Sequence, residues 1–245
     1  MEENKKKYGK RGKPSMVFGW GQKKRFDLVQ KRLALKDKKI LDVGCGIGIY
    51  SNRFYQEGSS IFGVDIDKEN IIKAKGLFPY ISFQAITSAN FPFEDNFFDI
   101  IFLHEVLEHV ENDKKTIDES LRVLKPGGRI VIFAPNKWFA FETHGLYLGE
   151  KYIFGNIPFL SWMPDFVRKV FAPHVRIYTI KKLKALFKEK GVKIEIIDYV
   201  WPAFDKIQRK IPVLGRILKK IAGLAERSRF FKKFGVSIFA IIRKN

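Results

Sequence analysis

Three glycines spaced two apart, Gly44, Gly46 and Gly48, follow an apolar run in the stretch KILDVGCGIGIY at 39–50. A bend with so little side chain lets a ligand approach bare backbone. The spacing G-x-G-x-G departs from the dinucleotide fingerprint G-x-G-x-x-G. Counted from Gly44 the third position is Ile49, and counted from Gly46 it is Ser51. The Gly-Lys-Ser/Thr of a phosphate-binding loop is absent as well. Asp65 closes the next apolar run, about 20 residues on, where a carboxylate accepts hydrogen bonds from a ribose diol. Turn and acid together frame a nucleoside and require no pyrophosphate. Taken singly, Gly46 also fits a plain tight turn, and Asp65 a helix cap.

Such residues need elements to hold them. Phe26, Val29 and Leu33 recur at helical spacing and predict a short amphipathic helix over 22–33. Strand and helix patterns then alternate. Strands are predicted at KKILDVG, SIFGVDI, ISFQAI, FFDIIFLH and RIVIFAP. Between them come helices at GIYSNRFYQEG, at DKENIIKAKGLF behind the cap Asp67, and over 113–124, where Pro126 and two glycines end the pattern. Repeated β-α-β with nearly all-apolar strands implies a parallel sheet covered on both faces, an α/β fold. Ligands in such sheets sit outside the carboxyl ends of the strands, and the glycine turn follows the first of these.

After Pro135 the alternation breaks. Residues 136–178 are irregular and rich in aromatics, among them Trp138, Phe141, Tyr152, Phe159 and Trp162, which suits a substrate lid or binding insert. Order returns with a helix in TIKKLKALFKEKG, capped by Thr179, and a strand at VKIEIIDYV. A basic amphipathic insert over 203–233 precedes the last strand, VSIFAIIRK. In it Ile207, Ile211, Leu214, Leu218, Ile221 and Ala225 follow helical spacing, with Lys206, Arg209, Lys210, Arg216, Lys219, Lys220 and Arg227 between them. Pro212 and Gly215 predict a break into two short helices. The division is a basic flexible tail over 1–14 and one domain over 15–245 that carries both inserts.

The segments ILDVGCGIG, GVDI, FPFEDNFFDIIFLHEVLEHV and LRVLKPGGRIVIFAPN resemble, in order and spacing, the motifs of class I S-adenosylmethionine-dependent methyltransferases. They look most like the type 11 group that includes ubiquinone-biosynthesis-like enzymes. The resemblance covers 40–136 and returns at TIKKLKALFKEKGVKI. It implies a Rossmann-like, seven-stranded, mostly parallel sheet with helices on both faces and an antiparallel last strand. It implies S-adenosyl-L-methionine as cofactor. Asp42 and the backbone of Gly44 and Gly46 would then hold the methionine end, Asp65 the ribose hydroxyls, and Ile66 would pack on adenine. Where the family often places an acid after strand three, this chain has Thr87, followed by Ser88 and Ala89. Cys45 reads as a small packing residue in the loop.

Methyl transfer from a sulfonium is an in-line displacement, so positioning supplies much of the rate. A base is needed when the acceptor must lose a proton. His104, at the end of strand four, and His144, opening the aromatic insert in FETHG, are the candidates; His174 at the insert's end ranks below them. In EVLEH, Glu105, Glu108 and His109 stand at i, i+3 and i+4, one face of a helix. Such a trio is able to hold a divalent ion, but helix capping and ion pairing is the reading favoured, and no metal is assigned.

The charge balance, 46 Lys and Arg against 26 Asp and Glu, is +20 over 245 residues and calls for an anionic partner or a solubility role. One cysteine excludes an intramolecular disulfide and points to a reducing, cytoplasmic setting. No apolar run spans a bilayer, and the Lys-rich start lacks the core of a secretory signal. The leading expectation is O-methylation of a small or lipid-like hydrophobic acceptor, with an anionic membrane as candidate partner and membrane association as candidate location. An RNA methyltransferase is the enzyme alternative. Nucleic acid is less favoured, since LHEV follows strand four in place of the Asn/Asp-Pro-Pro-aromatic signature. A non-catalytic cofactor-binding protein is the other alternative.

Overall fold

The computed structural model describes residues 19–245, so the tail predicted over 1–14 lies outside the described residues. The chain opens with α1 (Trp20–Gln30), β1 (Lys39–Val43), α2 (Ile49–Gln56), β2 (Ser60–Asp65), α3 (Lys68–Leu77), β3 (Ser82–Ala85) and β4 (Phe98–His104). Next come α4 (Asp113–Val123) and β5 (Leu124–Pro135). The aromatic insert holds the short β6 (Phe141–Glu142), β7 (Leu146–Leu148), β8 (Lys151–Ile153) and β9 (Ile157–Pro158), then α5 (Asp165–Phe171). After it follow α6 (Ile180–Ala185), β10 (Val192–Val200), α7 (Asp205–Lys210), α8 (Pro212–Arg227) and β11 (Ser237–Lys244).

Among the described residues seven strands form the main sheet, in the order β10-β11-β5-β4-β1-β2-β3. β11 runs antiparallel to both its neighbours, and the remaining pairs are parallel. The expected topology, antiparallel last strand included, is the one observed. Period-two alternation sorts each strand between two cores. Leu41, Leu103, Ile132 and Ala240 face Ile117 and Leu121 of α4 and Leu183 of α6. Ile40, Phe102, Phe133 and Phe239 face Phe26 of α1, Phe54 of α2 and Ile71 of α3. Burial on both faces is what the uninterrupted apolar strands require.

Three local expectations are corrected. The helix predicted through 191 ends at Ala185. β5 starts already at Leu124, so the Pro-Gly-Gly segment belongs to the strand, with a register shift opposite Phe98 and Ile100. Proline is tolerated there because it stands at the strand's entry. In the basic insert only Pro212 marks a break, as the first residue of α8. Gly215 lies inside that helix; a β-carbon there would run into Gln208, so glycine lets α7 and α8 cross closely.

Both inserts rise from the carboxyl edge of the sheet. The aromatic one leaves at Asn136 and returns at Tyr178, which form a parallel bridge and close its base. The basic one leaves after Val200 and returns at Ser237, which stands in register with both Val200 and Pro135. The Asn136 side-chain amide donates to the carbonyls of Lys233 and Gly235, tying the two inserts together.

Candidate active site

The glycine turn is held from below by β2. The amides of Gly44 and Cys45 donate to the Val64 carbonyl at 2.7 and 3.1 Å, and the amide of Gly46 donates to Asp65 Oδ2 at 2.8 Å. These three amides are therefore already bonded within the protein. Gly44, Gly46 and Gly48 all have positive φ, 68°, 55° and 82°. At Gly44 a β-carbon would meet Val106, and at Gly48 it would lie 2.6 Å from Phe83 Cζ. Gly44 and Gly48 are therefore dictated by the protein's own packing. Replacing Gly48 with Ala is expected to destabilise the fold by on the order of 2–3 kcal/mol, read as a melting temperature lower by roughly 5–10 °C.

Asp42 stands in register with Gly63, two residues before Asp65, close enough for the Asp65 charge to act on it. Asp42 is buried and its Oδ2 accepts from Ser51 Oγ at 2.6 Å. Its pKa is pushed up to about 7, by burial first and by the Asp65 charge, against the opposing Ser51 bond. A buried acid in that state favours a cation beside it. Asp65 Oδ1 accepts from the amide of Asp67 at 2.8 Å, so its two oxygens link the glycine turn to the start of α3. Each oxygen keeps a lone pair for a further donor. Ile66, next along, is 48% exposed, an apolar side chain without cover at the place where adenine is expected. Thr87 and Ser88 are exposed and Ala89 half-buried in the bend after β3; Ser88 Oγ accepts from the Asn90 amide. Cys45 is buried, and burial raises its thiol well above the usual range, which fits a packing residue and not a nucleophile.

His104 ends β4 with its ring among Tyr50, Phe102 and Phe133. Its Nε2 lies 3.2 Å from Tyr50 Oη. Burial, helped by the Arg25 charge, lowers its pKa to about 3, so the imidazole is neutral and weakly basic at physiological pH. Glu105 follows with φ 54°, in the left-handed region. Its Oε1 accepts from Arg25 Nη2 at 3.1 Å and from Ser237 Oγ at 2.8 Å. Burial alone would raise this acid, but Arg25, then His104 and the side-chain bond to Glu108, outweigh it and hold its pKa well below the usual carboxylate range. EVLEH therefore does not form the helix face expected of it. It is a strand end and a turn in which the His109 amide bonds back to Val106, and the Glu105 side chain meets that of Glu108 as well as Arg25 and Ser237.

The aromatic insert brings His144 up to Glu108 and His109. Among the described residues, ligand atoms of Glu108, His109 and His144 lie within 4.8 Å of one another. His144 Nε2 is 4.0 Å from Glu108 Oε1, and its Nδ1 is 3.0 Å from Glu142 Oε1. A carboxylate only accepts, so Nδ1 donates a proton to Glu142. Glu142 is buried, yet the His144 bond and the Arg168 charge hold its pKa below the usual range. Arg168, buried too, reaches Glu142 at 3.4 Å and the Val175 carbonyl at 2.7 Å. His174 is structural: its Nε2 lies 3.2 Å from the His144 carbonyl, which also accepts from Tyr152 Oη. Burial first, then the Glu105 charge and a side-chain bond to Glu105, raise the Glu108 pKa well above the usual range.

Sequence reasoning missed Glu142, Arg168, Arg25 and Ser237. The alternation Glu-Thr-His in FETHG carried a signal for the first, since two residues apart on an extended segment share a side. Arg25 and Ser237 meet Glu105 across 80 and 132 residues, which no local pattern encodes.

The methyltransferase-domain family matches residues 41–132. The ubiquinone biosynthesis O-methyltransferase of Pseudomonas aeruginosa (strain LESB58) is 30% identical over 183 residues, 71% of this chain and 72% of that protein. The enzyme of the same name from Coxiella burnetii (strain Dugway 5J108-111) is 30% identical over 138 residues, and the chain spans 58% of its length. An S-adenosylmethionine-dependent methyltransferase structure from Mesorhizobium loti superposes with a TM-score of 0.62 at 16% identity, covering 91% of this chain and 97% of that one, which shows the fold. With the sheet topology, the family match and a relative covered over 72% of its length in agreement, the chain belongs to the class I S-adenosylmethionine-dependent methyltransferases, and S-adenosylmethionine is its cofactor.

Proposed function

We propose that the protein transfers a methyl group to a hydroxyl of a small or lipid-like hydrophobic acceptor. The observation that carries this reading is His144, fixed through Nδ1 on buried Glu142 within an aromatic insert. A hydroxyl acceptor must lose a proton as it attacks, and an oriented neutral imidazole takes it. S-adenosylmethionine, when bound, supplies a methyl already activated on sulfur. Asp42 and the backbone of Gly44 and Gly46 hold its methionine end, Asp65 the ribose and Ile66 the adenine. Gly48 starts α2 beneath it, while Thr87, Ser88 and Ala89 lie along the base. His144 accepts the acceptor's proton at Nε2, Glu142 keeps that ring oriented, and His104 presents a neutral ring beside the reacting atoms. The aromatic side chains of 136–178 exclude water from the exchange.

The relatives' names speak of a ubiquinone pathway, and an apolar aromatic alcohol of that kind is the acceptor class we favour. An anionic membrane is the source we assign to it, with the protein in the cytoplasm and partly membrane-associated. Among the described residues no helix is long and apolar enough to cross a membrane. Lipid and RNA extracts treated with the protein and isotope-labelled donor test the reading by mass spectrometry. Label is expected in an apolar hydroxyl compound; label confined to RNA would overturn it.

Asp42 adds a pH signature. Contact with the ligand's ammonium favours the charged acid, so the bound pKa falls below the free value of about 7. Affinity for S-adenosylhomocysteine is therefore expected to be full above pH 7 and to be lost as pH falls through that value. Calorimetry in a pH series checks this, and Asp42→Asn should flatten the dependence.

A second reading rests on Glu108, His109 and His144, whose possible ligand atoms lie within 4.8 Å of one another. Here Glu108, His109 and His144 hold a divalent cation that orients the acceptor oxygen, with Glu142 as the outer carboxylate on His144. Metal-stripped protein titrated with Mn2+ decides it: saturable binding lost in Glu108→Gln supports it, and no binding removes it.

A further inference from the structure

At about 100° per residue, α8 presents three distinct faces. Gly215, Ala222 and Ala225 are buried and let the helix lie close to the body. Val213, Leu214, Ile217, Ile221 and Leu224 point outward; Ile217 and Ile221 are 50% exposed and Leu224 68%. Arg216, Lys220 and Arg227 form an exposed cationic row along one side of that stripe. A helix that merely packed on the domain would turn its large apolar side chains inward. This one turns the small ones inward and leaves the large ones uncovered among the described residues.

The uncovered surface continues past the helix. Phe230 and Phe231, both more than half exposed, pack edge to face. Ring contacts then run from Phe230 through Phe234 and Trp162 to Phe159 of the aromatic insert. The Lys233 ammonium sits 4.2 Å from the Phe230 centroid and 5.0 Å from that of Phe234. Aromatic rings with a cation at hand are the composition of a bilayer's interfacial zone. This surface also begins and ends at the carboxyl edge of the sheet, where the site lies.

We propose that the outward face of α8, with Phe230 and Phe231, docks on an anionic lipid bilayer, aliphatic side chains among the acyl chains and the cationic row among the headgroups. Charge chooses this occupant: a formal +20 and a row of one sign match an anionic surface. RNA would meet the row but leave five large aliphatic side chains in water. The proposal rests on the apolar-acceptor reading for its purpose and not for its geometry.

The full-length protein is sedimented with vesicles of phosphatidylcholine alone and of phosphatidylcholine with phosphatidylglycerol, at low and high salt. Partitioning is expected to be at least about tenfold stronger on the anionic vesicles and to weaken with salt. The double variant Ile217→Glu, Leu224→Glu should lose about tenfold or more, while its circular dichroism and its affinity for S-adenosylhomocysteine stay those of the parent. Wild-type protein that ignores anionic vesicles, or a double variant that binds them equally well, overturns the proposal. A face that pairs two copies, seen as a dimer that the variant dissociates while vesicle binding is absent, overturns it too. Failure of the methyltransferase reading would appear separately, as lack of nucleoside binding in a protein that still partitions.

Discussion

Asp65→Ala is expected to weaken S-adenosylhomocysteine binding at least tenfold, and by up to about a hundredfold. The lower figure is the loss of one charged acceptor for a ribose diol, since hydrogen bonds to a charged group are each worth about 1.5–3 kcal/mol and 1.4 kcal/mol is tenfold. The upper figure arises because this carboxylate also holds the amides of Gly46 and Asp67, both at 2.8 Å. Without it the Gly46 amide loses its partner and the bend loses its tie to β2. Asp65→Asn separates the two effects. Its side chain offers one acceptor and one amino group, so one of those two amides faces a donor. Asp65→Asn should therefore lie nearer to Ala than to wild type. Titration calorimetry reads the affinities, and an unchanged value in Asp65→Ala would remove this residue from the site.

His144→Ala is expected to lower turnover by about a hundredfold to ten-thousandfold, the span a positioned general base contributes. Cofactor affinity should hardly move, because His144 belongs to the insert and the nucleoside residues to β1, β2 and the turns after them. Glu142→Gln keeps the shape but removes the charge, and should cost about tenfold. His104→Ala should cost less than His144→Ala, because an imidazole with a pKa of about 3 is a poor proton acceptor at neutral pH. Single-turnover rates with saturating donor distinguish these cases. A His144→Ala enzyme with wild-type turnover would return the base to His104 and would count against the second reading as well.

The proposed donor half was legible because its information is local. A glycine every second residue, an acid at the end of the next strand and apolar strands buried on both faces are written within single segments, and the fold places them as expected. The acceptor half was not. EVLEH reads as a helix face by spacing, yet Glu105 is pulled aside by Arg25 and Ser237, partners 80 and 132 residues away. Glu108 is also met by His144, from an insert whose short strands lack any periodicity to read. The basic helix misled in another way. Helical spacing groups Leu214 with Leu218 and Ala225, whereas small-residue packing at Gly215, Ala222 and Ala225 decides which side faces in.

The bridge between Asn136 and Tyr178 has a consequence for how such a protein diversifies. Some forty residues depart and come back through one doorway, so the segment is a replaceable cassette. Relatives could exchange that loop wholesale and inherit new acceptors while the donor machinery went on unchanged. A chimera carrying a foreign segment between these two positions should still fold around its nucleoside, having merely changed its customers.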